Sequence, residues 1–130
     1  MARTVRWTET AIQDLEEAAA FIGRDSRFYA AALVQETRAA ARSLRTLAER
    51  GRVVPEIDAP AIRELFIGSY RLMYQVTADR VFILAFVHGT RDLTALWQRR
   101  GGPREIRRGS PPNAGKPPAN PGAARRRAAL

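Results

Sequence analysis

Arg63, Arg71, His88 and Arg91 are the residues of this chain whose types could do chemistry together. A guanidinium presents a planar fork that holds phosphate oxygens in pairs. An imidazole is the one side chain whose ordinary pKa suits proton transfer near neutrality. Three such cations with one imidazole could bind phosphates. They could also stabilise charge developing on phosphorus while His88 moves a proton. Arg71, His88 and Arg91 are the catalytic candidates if the chemistry is that of a nuclease. Arg63, Arg71, Arg91 and Trp97 are the candidates for binding a macromolecular partner, with Trp97, beside Arg99 and Arg100, suited to stack on a base. A plainer reading competes: Arg63 pairs with Glu64 or Glu56, Arg91 pairs with Asp92, and both are surface salt bridges. A lone His at a strand end is equally compatible with a structural hydrogen bond.

The elements that must position these residues lie in Ile62–Asp92. An apolar run to Ile67 closes at Gly68-Ser69. Tyr70–Val76 then alternates, placing Tyr70, Leu72, Tyr74 and Val76 on one face and Arg71, Met73 and Gln75 on the other, the period of a strand. Ala78-Asp79 suits a turn, and Val81–His88 is rich in β-branched and aromatic residues. If the loop has two residues or four, Val76 pairs with Val81 and Arg71 falls opposite Phe86. His88 would then lie diagonally from Arg71 on the same face, within reach of a long side chain.

Upstream, Ala2–Trp7 is a short strand. Thr8 or Thr10 can cap a helix that carries Ile12, Leu15, Ala19 and Ile22 at helical spacing and stops at Gly23. Asp25 or Ser26 caps a second helix in which Leu33, Thr37, Ala40, Leu44 and Leu47 form a narrow seam running up to Gly51. Leu33, Val34, Leu44 and Leu47 are expected in the core, and Trp7 is expected to pack beside the helix cap. Val53–Pro60 is a connector, and Leu93–Gln98 is a short helix or turn. The order predicts an α+β fold: an N-terminal strand, an antiparallel helix hairpin, then an antiparallel β-sheet, with a short C-terminal helix. A sheet edge left open would need covering, and a partner polypeptide could supply the cover.

Composition bounds the function classes. The chain has 130 residues, no Cys and one His, so disulfides, thiolate metal sites and a His-rich zinc site are excluded and no cofactor is expected. No glycine loop for phosphate, paired-carboxylate motif or nucleophile elbow is present. No apolar run reaches the roughly 20 residues of a membrane span, and the N-terminus has no apolar signal region. A cytoplasmic protein without membrane association is expected. Residues 1–100 hold 15 Arg against 12 acidic residues, a net +3, whereas residues 101–130 carry +6 of the total +9. That tail holds six of the eight prolines and few large apolar groups, so the expectation is a folded domain over 1–100 and a disordered basic tail over 101–130. The tail is either an electrostatic arm for nucleic acid or a solvated extension. A small nucleic-acid-binding protein driven by it is one functional reading.

The chain also resembles the RelE/ParE family of bacterial type II toxin–antitoxin toxins. The likeness runs through Val5-Arg6-Trp7-Thr8 with Ala11 and Asp14-Leu15, Gly51-Arg52-Val53-Val54-Pro55-Glu56, Ile62-Arg63-Glu64-Leu65, Gly68-Ser69-Tyr70-Arg71-Leu72-Met73-Tyr74, and His88-Gly89-Thr90-Arg91-Asp92. It spans residues 3–98. The resemblance implies a β-α-α-β-β-β fold and a growth-inhibiting toxin neutralised by a cognate antitoxin that wraps its surface. RelE-like members cut messenger RNA on the ribosome with Lys and Arg side chains, often with a Tyr near the C-terminus. ParE-like members poison DNA gyrase and are not known as nucleases. This sequence is similar to the RelE pattern at Arg71, Arg91 and Arg63. It departs from it at Leu65, where a second basic residue is expected, and at Trp97, where the Tyr is expected. The Gly51–Glu56 and His88–Asp92 segments look more like the ParE branch, and gyrase is the expected target.

Overall fold

In a computed structural model, which describes residues 2–100, the chain forms β1 (Thr4–Trp7), α1 (Glu9–Gly23), α2 (Arg27–Ser43), β2 (Arg52–Val53), β3 (Ile62–Ile67), β4 (Tyr70–Val76), β5 (Arg80–His88) and α3 (Leu93–Arg99). The expected tail over 101–130 lies outside the described residues. Strand order in the five-stranded sheet is β1-β5-β4-β3-β2. β3, β4 and β5 pair antiparallel, as the pattern predicts, β2 adds antiparallel to β3, and β1 joins the far edge parallel to β5. The α+β class and the order of the main elements are those read from sequence.

Local chemistry settles the caps. Thr8, rather than Thr10, caps α1: its hydroxyl accepts from the Ala11 N–H at 3.1 Å and donates to the Ile83 carbonyl at 2.8 Å. Ser26, rather than Asp25, caps α2 by accepting from the Tyr29 N–H. Asp92 caps α3 through the Ala95 N–H. Gly68 takes φ +57° in the two-residue turn that pairs Ile67 with Tyr70, a conformation that costs glycine little.

α2 stops at Ser43, eight residues before Gly51. The reason is the strand beside it: the Arg45 carbonyl, which a continuing helix would use, accepts the Arg3 N–H at 2.7 Å. Leu47 therefore leaves the helical seam and is 58% exposed, against its expected place in the core, while Leu44 is fully buried. Gly51 serves a close approach instead. Its N–H donates to the Tyr74 hydroxyl at 2.9 Å. A Cβ there would stand 2.5 Å from both that oxygen and the Glu64 carbonyl oxygen. Directly after it, β2 forms a short outer strand on β3 where a plain connector was expected.

Two apolar clusters flank the sheet. The face under the helix hairpin packs Leu15, Leu44, Leu72, Tyr74, Ile83 and Phe86, with Trp7 partly buried against it. The opposite face packs Val54, Ile62, Met73, Phe82, Leu84 and Val87 under α3 and the 54–59 connector. β5 carries a bulge. Tyr74 faces Ile83 and Met73 faces Ala85, so Leu84 is surplus, and Leu84 and Ala85 both join the second face. β5 also outlasts β1. Beyond β1, the Phe86 N–H donates to Asp14 of α1 at 3.0 Å, and Arg100 closes on the same carboxylate with two 3.0 Å contacts. That edge is thus covered by side chains.

Candidate functional site

The bulge decides which candidates meet. With one surplus residue in β5, Arg71 faces Val87 rather than Phe86, and His88 faces Tyr70. A slip of one residue moves a side chain to the other face of a sheet. The expected diagonal contact between Arg71 and His88 is therefore absent: His88 shares the helix-side face with Tyr70, and Arg71 lies on the opposite face. Arg63, opposite Tyr74, is also on the helix side. The sheet separates the cluster that a regular ladder would have gathered.

Arg71 is 4% exposed. Its Nε donates to Glu64 Oε1 at 2.6 Å, while Nη1 and Nη2 donate to Glu56 Oε2 and Oε1 at 3.0 and 2.8 Å. Glu64, whose side chain is fully buried, also accepts from Arg52 Nε at 2.7 Å. The Arg52 guanidinium lies 4.9 Å from the centre of the Phe66 ring. Hydrogen bonding to Glu56 raises the Arg71 pKa, and hydrogen bonding to Arg71 holds the Glu56 carboxyl below its usual range. Two cations and two anions form a closed, neutral set that clamps the connector onto the sheet. A phosphate reaching Arg71 would have to displace a carboxylate, leaving buried charge unpaired.

Arg63 pairs with neither Glu64 nor Glu56. Its Nη1 donates to the Gly51 carbonyl at 2.8 Å and more weakly to that of Glu49. Alternation explains this, since Glu64 points to the other face. Arg91 is exposed and makes no ion pair among the described residues; Asp92 is occupied in capping α3. Trp97 is half-buried against the second-face cluster.

His88 is exposed at the sheet's end. Thr90 donates its N–H to Nδ1 at 3.3 Å, and its hydroxyl lies 2.8 Å from the same nitrogen. An N–H can only donate, so Nδ1 is an acceptor and the neutral ring carries its proton on Nε2. The ring stands edge-on to Tyr70 at 5.4 Å, and Tyr70 stacks on Phe86 at 4.9 Å. Among the described residues, no carboxylate or amine is hydrogen-bonded to the ring, and Arg91 reaches His88 through a backbone N–H to its carbonyl.

The partners of Arg71 were the residues missed from sequence, although a signal existed. The Gly68-Ser69 turn pairs Ile67 with Tyr70, which places Glu64 opposite Met73 and diagonal to Arg71 on one face. Only Glu56, on the connector, has no such pattern to announce it.

An N-terminal strand, a helix hairpin and a sheet with a clamped connector define a small α+β domain. The family model described as ParE toxin of type II toxin-antitoxin system, parDE, matches residues 5–93, and the chain belongs to that family. Among solved structures, the chromosomal ParDE toxin-antitoxin system from P. aeruginosa is similar at 20% identity and TM-score 0.56, covering 67% of this chain and 96% of that one. The toxin-antitoxin complex RelBE2 from Mycobacterium tuberculosis is similar at 26% identity and TM-score 0.47, covering 68% and 99%. No curated protein matches. Among the described residues no helix is long and apolar enough to cross a membrane.

Proposed function

We propose that this toxin arrests growth by engaging DNA gyrase, without cutting RNA, and is neutralised by a cognate antitoxin encoded beside it. One observation supports the choice of target most: Arg71, the cation best placed by sequence to grip a phosphate, is buried and held by Glu64 and Glu56. A ribonuclease needs a base for the 2′-hydroxyl and an acid for the leaving oxygen, both within hydrogen-bond reach of one phosphate. Arg stays protonated and shuttles protons poorly. His88 is the one suitable group, and it lies across the sheet from Arg71. Residues 1–100 are proposed to carry the activity, with 101–130 accessory to it.

Purified full-length protein should inhibit supercoiling by gyrase and leave messenger RNA intact on translating ribosomes. Cleavage of ribosome-bound messenger RNA, with gyrase unaffected, would move the chain to the RelE-like activity.

A further inference from the structure

We propose that the solvent face of α1 is a docking surface for this chain's own segment 101–108, which crosses it as a basic strap rooted at Arg100. This docking does not depend on whether gyrase or the ribosome is the target.

α1 carries Glu9, Asp14, Glu16 and Glu17 and no Lys or Arg, a net of −4 inside a 1–100 region whose net charge is +3. Every other helix or strand of the described residues that holds a carboxylate also holds an Arg. At 3.6 residues per turn, Glu9, Gln13, Glu16, Glu17 and Ala20 share one face, opposite the buried Ala11, Leu15 and Ala18. Ile12 and Phe21, 38% and 64% exposed, border that face on its two sides. The surface is acidic along its middle and apolar at its margins.

The C-terminal segment starts on this helix. Arg100 caps the end of α3 and places both Nη atoms on the Asp14 carboxylate at 3.0 Å. Burial first, and then the charge of Glu17, raise the Asp14 pKa against that pair, so the neighbouring carboxylate is still felt there. Arg104, Glu105, Ile106, Arg107 and Arg108 follow. An extended chain advances roughly 3.3–3.6 Å per residue, so Arg104 and Arg108 can reach about 13 and 28 Å from Arg100. At 1.5 Å per residue, Glu9 and Glu17 lie only about 8 and 5 Å along the helix axis from Asp14. Both are therefore in range.

The segment also matches the surface in chemistry. Of the +6 in residues 101–130, three Arg against Glu105 put +2 in 101–108, and Lys116 with Arg125, Arg126 and Arg127 put +4 beyond. Ile106 is the one large aliphatic residue before Leu130, and it falls among the cations nearest the anchor. Exposed ion pairs are individually weak. A short tether offsets this, because it holds the segment at an effective concentration on the order of millimolar. A second copy of the chain could offer the same cations but lacks that advantage.

The test uses the full chain, whose lack of Cys lets a nitroxide be placed at Ser110→Cys alone. Paramagnetic broadening of the backbone amides then reports where the segment lies. The expected result is broadening concentrated at residues 9–20 and weak at β2 and β3. It should fall at least about twofold in Arg104→Ala/Arg107→Ala/Arg108→Ala and in Glu9→Gln/Glu17→Gln, as exposed pairs are lost. It should also fall when salt is raised from about 0.15 to 1 M. The triple variant lies outside the apolar clusters of the described residues, and amide spectra of both variants check that the fold is kept. Broadening spread evenly over the domain, or α1 broadening unchanged in both folded variants, would overturn the proposal. Equal α1 broadening between separate molecules, in a mixture of isotope-labelled and nitroxide-labelled protein, would overturn it in favour of exchange between two copies.

Discussion

Arg71 and Glu64 lie diagonally across β3 and β4 and meet at 2.6 Å, both buried. A pair of this kind adds little by existing but costs much when halved, because the survivor is a charge without water. Glu64 keeps its bond to Arg52, so Arg71→Ala should lower unfolding stability by less than the roughly 3–5 kcal/mol of a buried charge left with no partner. Replacing both partners, Arg71→Met with Glu64→Leu, should recover most of that loss. Chemical denaturation of the two variants checks the order; a double variant no more stable than the single would refute it.

Glu56, the exposed end of the same clamp, sets a pH dependence. Its carboxyl pKa is lowered from 4.5 on folding, first by hydrogen bonding to Arg71. A carboxyl with a depressed folded pKa contributes stability above its unfolded value and loses it as pH falls through the folded one. Asp14 has the opposite sign: burial raises its pKa from 3.8 against the pull of Arg100, so its ionisation works against folding as pH rises above that value. Glu56→Gln should be less stable than wild type at neutral pH, with the difference shrinking below about pH 4.5. Denaturation midpoints at several pH values check this.

Gly51→Ala should destabilise by about 1–3 kcal/mol, the usual range for forcing an atom into filled space. The new methyl meets Tyr74 and the Glu64 backbone. Thermal unfolding reads the loss, and Tyr74→Phe in the same background should relieve part of it by removing the nearest hydroxyl.

His88→Ala should leave growth arrest largely intact, because among the described residues the ring is hydrogen-bonded to Thr90 and not to a carboxylate or amine. A drop of about 100-fold or more, typical of losing a general acid or base, would place His88 in a catalytic role. Expression in bacteria with a graded inducer checks this.

Expression of residues 1–100 alone should arrest growth. The family match ends at residue 93, and the apolar clusters of the described residues are built from residues 5–97. A folded 1–100 chain without toxicity would show that the tail takes part.

Period-two and helical patterning made the strands, the hairpin and the fold class legible, because burial on one side of each element imposes that periodicity. The end of α2 was not legible. It depends on a hydrogen bond from Arg3 to Arg45, and no local pattern encodes a bond between such distant residues. The candidate site failed at a single point. A ladder counted back from the Ala78-Asp79 turn is correct as far as Tyr74, then the bulge shifts it by one. Leu84-Ala85 reads as ordinary strand sequence, and the choice to bulge there is made by packing on both faces.

That surplus residue has a meaning for how such a chain could diverge. Were β5 to run past Ile83 without the bulge, its sequence unchanged, Arg71 would face Phe86 and the imidazole would lie on the side of the sheet that holds Arg71. Residue types alone would then look unchanged in any tally of basic and acid–base groups, while the spatial arrangement would switch from divided to convergent. In this domain, the register of one strand is as much a structural variable as the identity of any side chain on it.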